Sequence, residues 1–280
     1  MTNEQPAAGP TRRRRRLTDA ETARRMLDAA MSMVAGAGLT VSLEHISFED
    51  VIRDAGVARS AVYRRWPYKD LFFSDLLREL AQQAPAATGA DGRGGEDAVR
   101  QLGRERFDLF GTPEGRHGLC VELLRQGALR DFDAMYASTR WRTYIALHAT
   151  YLGLADGELR REVGVSLEAA EHGLNARIAR SYEQLADLLG LRLRPGLRTT
   201  FEELATQLNA TMRGFVLTAL SRPDLRDRHI RPRVFDTTSE AEWSQPALGI
   251  AATALSFLEP DPGVEWDEQR LKRVRQMLGL

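Results

Sequence analysis

Residues 47–71 read Ser47-Phe-Glu-Asp-Val-Ile-Arg-Asp-Ala-Gly-Val-Ala-Arg-Ser-Ala-Val-Tyr-Arg-Arg-Trp-Pro-Tyr-Lys69-Asp-Leu71, and their order of residue types spells helix, tight turn, helix. Ser47 is suited to cap a short helix whose inward face is Phe48, Val51, Ile52 and Ala55. Gly56 supplies a turn position with positive φ, and Val57 plugs the corner between the helices. A second helix follows from about Ala58 to Arg65, with Val62 and Trp66 turned back toward the apolar side. Its opposite face carries Arg59, Ser60, Tyr63 and Arg64 at i, i+1, i+4 and i+5.

Those residue types suit a nucleic-acid groove. Arginine makes a bidentate contact to a guanine edge, serine bonds bases or phosphate, and a tyrosine hydroxyl reaches a phosphate oxygen. Lys69 falls where the next helix starts, so free backbone N–H groups, the helix dipole and an ammonium converge on one phosphate. Ser47, at the start of the preceding helix, is placed to do the same. A charged helix face that serves only solubility is the alternative for Arg59 to Arg64.

Outward from this stretch the chain reads as all-α. Toward the N-terminus, Thr18 and Glu21 form a capping box, and Ala23, Met26, Leu27, Ala30, Val34 and Ala37 recur with helical spacing until Gly36 and Gly38. Before them stand Arg12, Arg13, Arg14, Arg15 and Arg16, preceded by an unpatterned tail. This arm either solubilises the chain or follows a phosphate backbone into the narrow minor groove. No apolar signal core follows the arginines.

Toward the C-terminus the Gly- and Pro-rich run 84–95 marks a linker. The expected division is a basic arm over 1–16, a helix-turn-helix domain over 17–83, the linker, and a helical body over 96–280. Body helices are expected near 96–110, 117–136, 140–152, 167–189, 199–221, 247–258 and 267–277. An irregular piece, 222–245, contains Pro223 and Pro232.

Composition narrows the function classes. With 39 basic and 39 acidic residues the chain has no net charge, yet residues 1–70 hold 12 basic against 9 acidic side chains. A basic front end therefore sits on an acidic body. One cysteine, Cys120, forms no internal disulfide and no Cys-rich zinc site, which favours the cytoplasm. No apolar run approaches the roughly 20 residues of a membrane span. His117, Cys120 and Glu122 do not complete a metal site. No nucleophile elbow, phosphate-binding glycine loop or His-Glu-x-x-His helix occurs, so neither catalysis, a metal nor a cofactor is expected.

Residues 17 to about 80 resemble the DNA-binding domain of TetR-family transcriptional regulators. The resemblance rests on Ala55-Gly56-Val57 followed by Tyr63, an aromatic at Trp66, and Lys69 with Asp70 and Leu71 behind it. It implies that Ser47, Arg59, Ser60, Tyr63, Arg64 and Lys69 lie at DNA, while Val51, Val57, Val62 and Trp66 hold the helices together. The sequence departs from the family's habit at Ala58, Ser60, Trp66 and Ile52. The resemblance further implies a homodimer formed through the helical body, a palindromic double-stranded operator and a small-molecule effector. The dimer helices expected from it are 167–189 and 199–221.

For the effector, Trp141, Tyr144, Ile145, His148, Tyr151 and Leu152 form a stripe of apolar groups with polar tips. Such a stripe is either ordinary core or dimer contact, or the wall of a ligand pocket, with Trp141, Tyr144, His148 and Tyr151 as the candidate contacts. Two other readings of the whole chain remain at this point: a helical enzyme, or a helix-turn-helix used for protein contact or shape-based binding.

Overall fold

The computed structural model describes residues 17–37, 46–84 and 93–280. Over these residues it is all-α apart from two short β ribbons. The head consists of α1 (Asp19–Ala37), α2 (Phe48–Ala55), α3 (Arg59–Arg65) and α4 (Lys69–Gln82). The body continues with α5 (Arg93–Glu105), α6 (Pro113–Ala137), α7 (Thr139–Gly153), α8 (Glu158–Leu189), α9 (Phe201–Ser221), α10 (Gln245–Phe257) and α11 (Glu268–Leu278). Of the expected linker, residues 85–92 lie outside the described residues, and α5 already begins at Arg93. Arg12 to Arg16 and Gly38 also lie outside them.

The starts of α1 and α2 and the end of α2 have local causes. The Thr18 N–H donates to Glu21 Oε2 at 2.7 Å and the Glu21 N–H to Thr18 Oγ1 at 3.1 Å, which satisfies two of the free donors of α1. Ser47 Oγ accepts from the Asp50 N–H at 3.3 Å and starts α2. Gly56, at φ 60° and ψ 35°, ends it in the left-handed region. A Cβ at Gly56 would meet nothing within 4 Å, so only the backbone conformation disfavours a side chain there. Gly56→Ala is therefore expected to cost about 1–2 kcal/mol without creating a clash; urea unfolding of the purified variant measures it, and an unchanged midpoint would contradict the assignment.

Two hydrophobic cores result. The first gathers Met26, Ala30, Val34, Val51, Ile52, Val62, Trp66, Phe72 and Leu76 from α1 to α4. It also takes in Tyr144 and Leu147 of α7 and Val163, Leu167 and Ala170 of α8, so the body reaches into the head's interior. The second core lies among α6, α8, α9 and α10, with Phe110, Phe132, Trp141, Leu189, Leu204 and Trp243. Helix α8 belongs to both. Its first half packs on α4, where Arg78 Nε lies 2.5 Å from Glu162 Oε2, and its last turn enters the second core through Leu185, Leu188 and Leu189.

That helix starts at Glu158, nine residues before the expected 167. Its opening turns, Glu158-Leu-Arg-Arg-Glu-Val-Gly, bury only Val163, so no apolar period announces them. A Gly157 N-cap without a side-chain hydrogen bond adds no start signal either. The ribbons pair β1 (Leu191–Leu193) with β4 (Leu258–Pro260), and β2 (His229–Ile230) with β3 (Trp243–Ser244), both antiparallel. At two or three residues each, these strands are too short to carry an alternating pattern.

Candidate nucleic-acid interface

The outer face of α3 is built as its spacing requires. Val62 and Trp66 are buried, and the Trp66 Nε1–H donates to Asp75 Oδ2 at 2.9 Å, which locks α3 to α4. With that side anchored, Arg59, Ser60, Tyr63 and Arg64 are all exposed on the other. Phe48 of α2 packs edge-on against Tyr63, ring centroids 5.8 Å apart, and sets the direction of the tyrosine. Lys69 is the first residue of α4, exposed, and Tyr68 before it makes no side-chain cap. The backbone N–H groups of that helix start are thus left without a side-chain cap. Ser47 Oγ accepts within its own cap and keeps its hydroxyl proton for a further acceptor. These six residues therefore lie on α3 and at the starts of α2 and α4.

Two acidic residues that sequence reasoning passed over hold this face. Glu49 Oε2 lies 2.6 Å from Arg59 Nη2, and Glu49 Oε1 accepts from the Tyr63 hydroxyl at 2.9 Å. Asp19, at the start of α1, pairs with Arg64. The Glu49 hydrogen bond raises the Tyr63 pKa above its ordinary value, so the phenol stays protonated and able to donate. Glu49 stands 14 residues from Tyr63 and Asp19 stands 45 from Arg64, separations at which spacing rules for a single helix are silent. The pairs are exposed, and such contacts contribute about 0–1 kcal/mol each.

The stripe on α7 is divided between the two cores. Trp141 belongs to the body core and Tyr144 to the head core, both buried. Tyr151 packs against the close backbone of Gly164 on α8, with the Arg160 guanidinium 4.6 Å from its ring centroid. Tyr144 and His148, edge to face at 4.7 Å, meet Glu171 of α8. The Tyr144 hydroxyl donates to Glu171, and His148 Nε2 lies 3.2 Å from Glu171 Oε1. Arg213 Nη2 of α9 donates to Glu171 Oε1 at 2.6 Å, and Asn209 Nδ2 to Glu171 Oε2 at 3.2 Å and to Asn175 Oδ1 at 3.0 Å.

Burial alone would raise the Glu171 pKa, but the hydrogen bonds from His148, Tyr144 and Arg213 outweigh it and hold the carboxyl down to about 2. Burial, then the neighbouring Glu171, raises Tyr144. One carboxylate thus ties α7, α8 and α9 where the two cores meet. No motif marked Glu171, because its partners come from two other helices, α7 and α9.

Among the described residues no group of three His, Cys, Asp or Glu side chains is placed to hold a metal ion, and no helix is long and apolar enough to cross a membrane. His117, Cys120 and Glu122 do not converge: His117 Nε2 donates to Phe235 O at 2.6 Å, Cys120 is buried, and Glu122 pairs with Arg125 at 2.6 Å.

No family model matches the chain, and no curated protein matches it. Among solved structures, the chain is similar to a SmeT–triclosan complex at 20% identity and a TM-score of 0.41, over 87% of this chain and 99% of that one. It is also similar to a structure assigned to the tetR family of transcription regulators, from Shewanella sp. PV-4, at 15% identity and a TM-score of 0.36, over 85% of this chain and 98% of that one. By its own architecture the chain is a head of helices carrying a helix-turn-helix, joined to a larger, mainly helical body.

Proposed function

We propose that the chain is a sequence-specific DNA-binding transcriptional regulator, a homodimeric repressor that leaves a palindromic operator when a small molecule binds its body. The observation that carries the reading is the α3 face: Arg59, Ser60, Tyr63 and Arg64 exposed together on a helix whose other side is locked by Val62 and Trp66. In this reading α3 enters the major groove, Arg59 and Arg64 read base edges, Tyr63 and Ser60 bond phosphate or base, and Ser47 and Lys69 anchor phosphates at two helix starts. Arg12 to Arg16 follow the backbone outside the groove.

Domain boundaries follow the same reading, with a head over 17–83 and an effector-binding, dimerising body from 96. The dimer would use α8 and α9, and Leu217 and Leu220 of α9, exposed at 42% each, support an apolar contact there. Two α3 helices would then meet successive major grooves roughly 34–36 Å apart. A ligand shifts this equilibrium only by its preference for one spacing over the other. In this reading the protein carries out no enzymatic step and works in the cytoplasm.

Selection of bound duplexes from fragmented genomic DNA of the source tests this reading. The expected result is one enriched palindrome with half-sites about one helical turn apart. Folded protein that enriches nothing, with binding that falls steeply with salt on every duplex alike, would favour a non-specific helix-turn-helix.

A further inference from the structure

The face that α3 turns outward carries an acceptor as well as donors. Glu49 stands in the first turn of α2, just after the Ser47 cap, and its carboxylate reaches across to α3. Oε2 lies 2.6 Å from Arg59 Nη2, and Oε1 accepts from the Tyr63 hydroxyl at 2.9 Å. Arg59 and Tyr63 are one turn apart on α3, so the carboxylate is held beside that helix at two points rather than left to swing. It stays open to solvent: the Glu49 side chain is 46% exposed. Phe48, next to it in the chain, packs edge-on against Tyr63 and lies 5.1 Å from Phe72 of the head core, which anchors the turn that carries Glu49.

Other carboxylates of the head are placed differently. Asp50 pairs with Arg53 of its own helix at 2.7 Å. Asp75 accepts from the Trp66 indole at 2.9 Å and from Arg78 at 2.9 Å, where α3 packs on α4. Glu49 instead stands among the side chains that face outward, tied to two of them.

A carboxylate carried toward DNA meets a field of phosphates, and the approach is unfavourable unless an N–H of a base receives it. In the major groove those donors are the exocyclic amino groups. Cytosine offers N4 alone, whereas adenine sets N6 beside the N7 acceptor, which faces a carboxylate badly. Glu49 has the capacity, since a carboxylate accepts at about four sites and only part of that is used here. Arg59 keeps the other N–H groups of its fork for a guanine edge. The Nη2–Oε2 separation of 2.6 Å is comparable with the roughly 3.4 Å rise between stacked bases, so the pair presents a donor and an acceptor to neighbouring base pairs.

We propose that Glu49 is a base-reading residue: in the complex it accepts from the N4 amino group of a cytosine in the base pair next to the guanine taken by Arg59. The assignment rests on the regulator reading above and adds a residue of α2 to the reading surface. Thymine and guanine present acceptors toward the groove, so the carboxylate rejects them as well as choosing cytosine. A carboxylate that only positioned Arg59 and Tyr63 would leave no preference of its own in the operator.

Selection from a pool of randomised duplexes, followed by sequencing, reads this in the wild type and three variants. The wild type is expected to enrich a palindrome with cytosine favoured about tenfold at one position of each half-site, beside a guanine. Glu49→Ala should flatten that position and leave the guanine and the rest of the site unchanged. Glu49→Gln, whose amide suits adenine, should move the preference there from cytosine to adenine, and it carries the test should Glu49→Ala not fold by circular dichroism. Asp50→Asn removes the same charge from the same turn and should keep the cytosine. Three results overturn the proposal: Glu49 variants that retain the full wild-type preference, Glu49 variants that weaken the guanine with no change at a neighbouring cytosine, and an Asp50→Asn variant that loses the cytosine as well. A folded wild type that enriches no sequence overturns the regulator reading and this assignment together, whereas an enriched palindrome with any of those three results overturns this assignment alone.

Discussion

Replacing Arg59 and Arg64 together with alanine is expected to lower affinity for the selected operator about thirtyfold or more while leaving thermal unfolding in place. Both side chains are exposed, at 72% and 52%, and their partners Glu49 and Asp19 are exposed too. Their loss therefore removes ion pairs that contribute about 0–1 kcal/mol each to folding. At DNA the balance is different, because each well-made arginine–guanine contact discriminates by about 1–3 kcal/mol. Two such contacts correspond to about 2–6 kcal/mol. Electrophoretic mobility shift with a fixed duplex, alongside a melting curve, separates the two effects. A loss of less than about threefold with an unchanged melt would remove α3 from the interface.

Glu171→Ala is expected to lower folding stability by about 2–3 kcal/mol at neutral pH. The substitution leaves the Tyr144 hydroxyl, Arg213 and one amide proton of Asn209 without their shared acceptor in a half-buried site. Breaking a fully buried pair costs about 3–5 kcal/mol, and the side-chain exposure of 27% for Glu171 and 22% for Arg213 reduces that figure. A pH signature accompanies it. The folded pKa of Glu171 lies near 2, below its ordinary 4.5, so its contribution is fully present above about 4.5 and is lost as pH falls toward 2. Urea unfolding should thus show a gap between wild type and Glu171→Ala that is wide at pH 7 and narrower at pH 2.5. An equal gap at both would mean that the carboxylate's charge is not what holds the three helices.

What the sequence made legible was local. The capping box at Thr18, the left-handed Gly56 and the two faces of α3 each depend on residues within one or two turns, where periodicity and capping chemistry apply directly. Helix α8 was foreseen only from 167, because its first turns are polar and are ordered by packing on α4 rather than by an apolar stripe of their own. The α7 stripe was read as one surface, yet Trp141 and Tyr144 serve different cores, since α7 passes from the body to the head. Glu49, Asp19 and Glu171 went unseen because each acts on side chains from other helices.

Whether α3 reads base sequence is tested by the affinity of the purified chain for the selected palindrome against a scrambled duplex of equal length and composition at near-physiological salt. Fluorescence anisotropy should give a ratio of about a thousandfold or more, the lower end of the range for sequence-specific regulators. Equal affinities for the two duplexes, from protein shown to be folded, would contradict the account.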